Sequence, residues 1–172
     1  SNLPLVPLAS ILNPIYVSIA NTHTCMMVDS GYIFCWGGNG SGQLGNDSTN
    51  TLNNASNSTG AFLSSTSTGL SISAGGNHSC AILQNSVVKC WGDNTYGQLA
   101  LRMGSTKAPN WGTGSSRAMA SLPETKAATF GYLVDMVLTS RQTCAVWKSG
   151  DISCWGQPWS HQYAYGGSSV AS

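Results

Sequence analysis

The stretch that decides the fold is residues 78–100, which read HSCAILQNSVVKCWGDNTYGQLA. Cys80 and Cys90 enclose nine residues, and the turn-forming residues 84–86, Gln-Asn-Ser, lie at the centre. A turn there predicts an antiparallel hairpin whose two cysteines lie directly opposite each other. Side chains paired in this way are about 5 Å apart at Cβ, which is within reach of a disulfide. The stretch therefore predicts a disulfide-closed hairpin that ends in Cys-Trp-Gly.

The same unit occurs three times along the chain. Residues 23–45 read HTCMMVDSGYIFCWGGNGSGQLG and residues 142–164 read QTCAVWKSGDISCWGQPWSHQYA, so that the first cysteines are 55 and then 64 residues apart. A short run of strand-forming residues precedes each hairpin, at 17–20, 70–74 and 134–138. This repetition predicts stacked sheet units that bury their faces against one another.

All six cysteines fall into three pairs of identical spacing: Cys25 with Cys35, Cys80 with Cys90, and Cys144 with Cys154. Zinc is the alternative, but structural zinc sites favour cysteines separated by about two to four residues, and the sequence lacks that spacing. We therefore expect three disulfides, each contributing about 2–3 kcal/mol through its short closed loop. Disulfides persist in oxidising compartments, so the sequence predicts an extracellular protein, secreted or at the cell surface.

The run from His78 to Leu99 resembles the repeat of the regulator of chromosome condensation family. The resemblance implies an all-β fold of propeller-type blades, each with about four strands, in rings of about seven blades. In the third unit Pro158, His161 and Tyr163 replace the Asn, Gly and Leu of the motif. The paired cysteines are more similar to the secreted, disulfide-bearing bacterial branch than to the nuclear one. The resemblance covers roughly residues 14–45, 70–100 and 132–164.

Several motif residues could suggest catalysis or ligand binding, but a structural role fits each of them better. His23 and His78 precede a strand cysteine, and we expect buried imidazoles hydrogen-bonded to backbone. Residues 40–45 match the dinucleotide pattern G-x-G-x-x-G, but loop residues follow where that site needs a helix. We expect no cofactor, metal or catalytic residue. Three tryptophans supply large apolar side chains for packing blade on blade: Trp36, Trp91 and Trp155.

Charge and hydropathy exclude further classes of protein. Charged residues make up only 8% of the chain and the net charge is +1. A domain that binds nucleic acid through its phosphates carries a basic patch, so we expect no nucleic-acid partner. The sequence contains no run of about 18 apolar residues, and it therefore predicts no membrane-spanning helix.

We interpret residues 1–172 as a single domain in which repeats alternate with connecting segments. Of the 24 residues in 46–69, 16 are Ser, Thr or Asn, so we expect an exposed loop. It is either a plain polar loop or a glycan-bearing one, with Asn46, Asn54 and Asn57 as the glycosylation candidates. A short helix is expected at 116–130. The segments are an N-terminal strand segment at 1–13, repeats at 14–45, 70–100 and 132–172, the loop at 46–69 and an insertion at 101–131.

Three blades are too few to close a propeller, which needs at least about four. An open arc exposes sheet faces and edges that favour association. The alternatives are a fragment of a longer chain, a ring completed by several copies, or a head-to-tail polymer. We expect an N-terminal strand to be donated to another copy through four apolar residues: Leu3, Leu5, Val6 and Leu8.

Two functions of different kinds follow. The first is an extracellular, non-enzymatic structural subunit that self-associates head-to-tail into a filament or surface array. The second is a secreted binding or inhibitor module, because some secreted members of the resembled family inhibit an enzyme through propeller-face loops. Nucleotide exchange, which the nuclear relatives imply, and catalysis are less favoured. Tryptophan and arginine are enriched at interface hot spots, so the contact residues of the second function are Arg102, Lys107, Trp111 and Arg117.

Overall fold

The computed structural model describes residues 13–61, 63, 68–101, 110–114, 117–125 and 132–157. In these residues the chain forms three antiparallel sheets of three strands each, in sequence order. We call the sheets blade 1, blade 2 and blade 3. Their strands are β1 (Pro14–Ile19), β2 (His23–Val28) and β3 (Ile33–Gly37), then β4 (Gly69–Ala74), β5 (His78–Leu83) and β6 (Val88–Gly92), then β7 (Leu133–Leu138), β8 (Gln142–Trp147) and β9 (Ile152–Gly156).

The second and third strands of each blade form the hairpin that the sequence predicts. In every hairpin the two cysteines are register partners, and their Cα atoms lie 4.0–4.1 Å apart. All three expected disulfides are present. In blade 1 the turn depends on Gly31, whose φ of +80° is costly for any residue with a side chain. The all-β fold of three propeller-type blades with disulfide-closed hairpins is confirmed.

The first strand of each blade carries the same irregularity. The register of β1 with β2 shifts between Pro14 and Tyr16, which marks a β-bulge at Ile15. Equivalent shifts mark bulges at Leu70 in β4 and Val134 in β7. The repeat therefore extends to the backbone, and positions can be compared from blade to blade.

The apolar core lies largely between successive blades. β1 and β2 pack against β4, and β4 and β5 pack against β7. Ile72 and Trp91 of blade 2 are wholly buried, and so is nearly all of Trp147 in blade 3. Since burying one such side chain contributes about 2 kcal/mol, packing between neighbouring blades stabilises each of them.

Both connecting segments return to the edge of the hairpin that precedes them. Leu52 exchanges two backbone hydrogen bonds with Gly37, at 2.7 and 3.0 Å. Trp111 exchanges two with Gly92, at 2.9 and 3.1 Å. These isolated bridges lie beside the last strand of blades 1 and 2, where the family's fourth strand is expected.

The described residues of the polar segment 46–69 are less exposed than its composition predicts. Ala55 and Leu63 are buried, and Leu63 belongs to the apolar core. The Asp47 carboxylate accepts a hydrogen bond from the backbone N–H of Met119, at 2.6 Å. Leu63 therefore fixes the segment to the core and Asp47 fixes it to the insertion, contacts that overall composition cannot reveal.

The helix expected at 116–130 is wrong for the part that is described. Residues 117–125 contain only a 3-10 turn, Met119–Ser121, and then an extended Leu122. Pro123 explains the difference, because proline disfavours a helical conformation in the residue before it. Two other sets of predictions lie outside the described residues: the N-terminal strand with Leu3, Leu5, Val6 and Leu8, and the departures from the motif at Pro158, His161 and Tyr163.

Within the described ranges, no helix has both the length and the apolar character needed to cross a membrane.

Candidate assembly interface

A buried polar network joins blade 1 to blade 2. Ser79 Oγ lies 2.8 Å from His23 Nε2 and donates its hydrogen to the backbone carbonyl of Gln43, at 2.9 Å. The indole Nε1 of Trp91 donates to the same carbonyl at 3.0 Å. A carbonyl oxygen has two lone pairs and accepts both bonds. Residues of two blades therefore complete each other's hydrogen bonding.

The same network recurs between blade 2 and blade 3. Thr143 Oγ1 lies 2.9 Å from His78 Nε2 and donates to the carbonyl of Gln98 at 3.0 Å. Trp155 Nε1 donates to that carbonyl at 2.8 Å. Both histidines are buried, as the sequence predicts, but their partners are side-chain hydroxyls of the next blade and not backbone groups. These contacts give the histidines a structural role.

The network fixes the protonation of both histidines. The hydroxyls of Ser79 and Thr143 each give their single hydrogen to a carbonyl, so His23 and His78 must donate from Nε2. Nδ1 then carries no hydrogen, and in both rings it is buried with no partner among the described residues. Burial lowers the pKa of each histidine to about 4; for His78 the nearby His23 adds to the lowering, and Asp93 opposes it. Both rings are therefore neutral at neutral pH.

A short turn positions the carbonyl that accepts these bonds. Asn39 is wholly buried, and its Oδ1 accepts a hydrogen bond from the backbone N–H of Leu44 at 3.0 Å. Asn94 makes the same bond to Leu99 at 2.9 Å. Our sequence reasoning gave these asparagines no role, although the shared pattern Asn-x-x-Gly-Gln-Leu in both units was a usable signal.

Equivalent positions differ in exposure from one blade to the next. Ile72 in β4 and Met136 in β7 are buried against the preceding blade, but their counterpart Val17 in β1 is 53% exposed. Ala74 is buried, whereas its counterpart Ile19 is 76% exposed. We call the side of a blade that meets the preceding blade its front face. The front face of blade 1 carries Val17, Ile19, Thr24 and Trp36.

The opposite side of blade 3 is open in the same way. We call the side that meets the following blade the rear face, and in blade 3 it carries Val137, Ile152 and the Cys144–Cys154 disulfide. Val137 is 61% and Ile152 is 69% exposed, whereas Ile33 and Val88, the counterparts of Ile152, are buried. Cys154 is exposed, whereas the four cysteines of blades 1 and 2 are buried.

The bulge residues provide an internal comparison. Ile15, Leu70 and Val134 are all between 57% and 61% exposed, whichever blade they belong to. At the bulge, exposure therefore does not depend on the position of the blade. The front face of blade 1 and the rear face of blade 3, at the ends of the arc, form the candidate assembly interface.

Of the four residues expected to bind a partner through the insertion, the structure describes Trp111 and Arg117. Trp111 is only 4% exposed because it is bridged to Gly92 and belongs to the core, so its ring cannot meet a partner. The Arg117 guanidinium lies 5.3 Å from the centre of the Trp111 ring. Arg102 and Lys107 lie outside the described residues.

The three glycosylation candidates differ in the exposure of their side chains. Asn54 and Asn57 are exposed, whereas Asn46 is half-buried and its Oδ1 accepts a hydrogen bond from Asn39 at 3.0 Å.

In the part of the chain that the structure describes, no group of three or more His, Cys, Asp or Glu is placed to hold a metal ion.

Comparison with known proteins relates both sequence and fold to one family. The family described as Regulator of chromosome condensation (RCC1) repeat matches residues 16–43 and 70–98. A mouse protein, X-linked retinitis pigmentosa GTPase regulator, is 33% identical over 96 residues. That match covers 52% of this chain and 9% of the mouse protein, so the chain spans less than a tenth of its curated relative.

Two solved structures share the fold at low sequence identity. Yeast RCC1 (Prp20), in its complex with Kap60, superposes with a TM-score of 0.67 and 17% identity, over 88% of this chain and 31% of the yeast chain. Human WBSCR16 gives a TM-score of 0.65 and 14% identity, over 86% of this chain and 34% of the human one. The chain thus spans about a third of each. Residues 16–43 and 70–98 are thus similar to the RCC1 repeat, and the chain shares the β-propeller fold of these two structures.

Proposed function

We propose that this chain is an extracellular, non-enzymatic structural subunit that self-associates head-to-tail. The rear face of blade 3 in one copy packs on the front face of blade 1 in the next, as blade 1 packs on blade 2 within the chain. Repetition of this contact builds a filament or surface array, or a ring if the rotation closes. The observation that carries the proposal is the exposure of Val17 and Ile19 at positions that are apolar in all three blades.

The polar network supports the same proposal. Thr24 and Trp36 are register partners and correspond to Ser79 and Trp91 of blade 2. Both are half-buried, and no described residue accepts a hydrogen bond from the Thr24 hydroxyl or the Trp36 indole. In blades 2 and 3 these bonds go to a carbonyl of the preceding unit.

Three further observations support an extracellular and non-enzymatic role. The three disulfides are typical of proteins from oxidising compartments. The inter-blade network accounts for His23 and His78 without any chemistry. The mouse relative is named a GTPase regulator, and the yeast protein is seen bound to Kap60. The alternative of a binding module that uses the insertion loses its aromatic anchor, because Trp111 is buried.

Light scattering and negative-stain microscopy of the purified chain test this proposal. The average mass should rise with protein concentration, and images should contain filaments, arrays or rings. A constant monomeric mass at every concentration would overturn it. Deleting residues 1–13 separates two forms of the contact. Monomers after the deletion would indicate that the N-terminal strand is donated, and unchanged association would indicate contact through the blade faces alone.

A further inference from the structure

We infer that Asn77 is a modification site, which carries an N-linked oligosaccharide on the turn between β4 and β5. The inference rests on the extracellular location in the proposed function, because N-linked glycans belong to secreted and cell-surface proteins. Residues 77–79 read Asn-His-Ser, which is a complete acceptor sequence. Sequence reasoning did not select Asn77, because it lies within the repeat, but its surroundings in the fold distinguish it from the other asparagines.

The Asn77 side chain lies at the surface on a fixed piece of backbone. Asn77 is exposed, and the backbone N–H of Asp93 donates to its carbonyl at 2.8 Å. A glycan is joined to Nδ2 of asparagine, where the sugar replaces one of the two hydrogens of that nitrogen. Asn77 Nδ2 donates to no acceptor among the described residues, so the fold uses neither hydrogen.

The amide group of Gln43 fixes which way the Asn77 carboxamide points. The backbone N–H of Ser41 donates to Gln43 Oε1 at 2.9 Å, so the other atom of that amide, Nε2, is the one that faces Asn77. Gln43 Nε2 lies 3.5 Å from Asn77 Oδ1, and Thr22 Oγ1 lies 3.0 Å from the same oxygen. A nitrogen in place of that oxygen would set two donors against each other. Oδ1 of Asn77 therefore faces blade 1, and Nδ2 faces solvent.

Asn39, which begins another acceptor sequence, is held in the opposite way. It is wholly buried, and its Nδ2 donates to Asn46 Oδ1 at 3.0 Å and to the carbonyl of Ser48 at 2.8 Å. A sugar on that nitrogen would displace one of these bonds and would need space that the buried turn lacks. The fold can therefore accommodate a glycan on Asn77 but not on Asn39.

The order of events follows from the burial of Ser79. This residue completes the acceptor sequence, yet in the folded chain it is wholly buried and bonded to His23 and to the Gln43 carbonyl. The enzyme that transfers the glycan must therefore reach residues 77–79 before β5 pairs with its neighbours. The modified chain then folds with the sugar outward, at the boundary between blades 1 and 2.

Expression with a secretion leader in a eukaryotic cell tests the site. In the double variant Asn54→Gln and Asn57→Gln, which removes the exposed acceptors of the polar loop, a shift in electrophoretic mobility should remain and should disappear on enzymatic deglycosylation. Adding Asn77→Gln should abolish that shift. Ser79→Thr is the matched control and should keep it, because threonine also completes the acceptor sequence and blade 3 has Thr143 at this position.

Peptide mapping of the unmodified sequence assigns the glycan without any variant. Trypsin leaves residues 1–89 in one piece, since Lys89 is the first basic residue of the chain. Chymotrypsin cleaves after leucine, so after reduction and alkylation it places Asn77 in the peptide that follows Leu70 and ends at Leu83, apart from the loop. That peptide should carry the added mass of a glycan in secreted protein whose three disulfides are intact.

Two failures can be told apart. If the chain is secreted with all three disulfides but the peptide 71–83 is unmodified, the inference about Asn77 is overturned and the extracellular location stands. A mobility shift that survives Asn77→Gln would overturn it as well. If the chain is retained in the cell with its cysteines unpaired, the proposed location fails and the glycan fails with it.

Discussion

His23 Nε2 and Ser79 Oγ lie 2.8 Å apart across the boundary between blades 1 and 2, and the imidazole is the donor in this bond. The ring nitrogen that would take up a proton, Nδ1, is buried and has no acceptor among the described residues. A charged imidazole at this position would lose its hydration without gaining a partner. The packing of the blades therefore depends on a neutral histidine at each boundary.

Acid should destabilise the fold between pH 6.5 and pH 4. The folded-state pKa of His23 and His78 is lowered to about 4, so in this range the unfolded chain binds more protons than the folded chain. The free energy of unfolding then falls as the pH falls, by up to about 3 kcal/mol for each histidine. Urea unfolding at a series of pH values measures the effect.

His78→Gln provides the control for that experiment, because blade 3 naturally has Gln142 at the same position. Glutamine can still donate to Thr143 but does not titrate, so the dependence on pH should fall by about half. If the variant kept the full dependence on pH, the histidines would not be its source.

Trp91→Phe should lower the free energy of unfolding by about 2 kcal/mol or more. The indole is wholly buried and donates to the Gln43 carbonyl, so the variant loses both a hydrogen bond and packed volume. Trp36→Phe is the matched control in blade 1, where the ring is half-buried, and should cost less than about 1 kcal/mol. Urea unfolding measures both variants. Equal losses of unfolding free energy would show that this tryptophan contributes the same amount in blade 1 as in blade 2.

Mild reduction should open the Cys144–Cys154 disulfide before the other two. Thiol–disulfide exchange requires access to a sulfur atom, and Cys154 is exposed while the cysteines of blades 1 and 2 are buried. Alkylation after brief treatment with a low concentration of reductant, followed by peptide mass spectrometry, identifies which cysteines were released. Uniform release of all six would contradict the difference in burial.

Expression in a secreting eukaryotic cell should place glycans on Asn54 or Asn57 and not on Asn39. The first two side chains are exposed, whereas the Asn39 carboxamide is buried and bonded to Leu44, Asn46 and Ser48. Glycopeptide mapping gives the occupancy at each site. Modification of Asn39 in a protein with all three disulfides intact would show that the turn is more accessible than the fold indicates.

Much of the fold could be predicted because the repeat encodes it locally. The spacing of Cys80 and Cys90 around a turn determines the hairpin, and the same spacing determines the other two hairpins. The hairpins, the disulfides and the three-blade arrangement follow from that pattern, whereas the first strand, predicted at 17–20, lies at Pro14–Ile19. The segment 46–69 was harder to predict, because Leu63 is buried by residues distant in sequence and composition is blind to such contacts.

The interface could be predicted only in part. Trp91 was expected to pack between blades, but its bond to the Gln43 carbonyl and the role of Asn39 depend on tertiary geometry. Trp111 was expected at a contact surface because tryptophan is enriched at interface hot spots, yet it is bridged to Gly92 and belongs to the core. The count of three blades predicted exposed sheet faces, but not that Val17 would lie on one of them while its counterpart Ile72 is buried.

Hydroxyl-radical footprinting of the chain at low and high concentration tests the central claim most directly. If the front face of blade 1 and the rear face of blade 3 cover each other, Val17, Ile19 and Ile152 should become protected together as the concentration rises. Ile15 and Leu70 lie at the bulge position, which is exposed in all three blades, and they should be oxidised at an unchanged rate. If the oxidation of Val17, Ile19 and Ile152 did not change with concentration, the faces would not cover each other. Protection confined to Ile15 and Leu70 would contradict the claim equally.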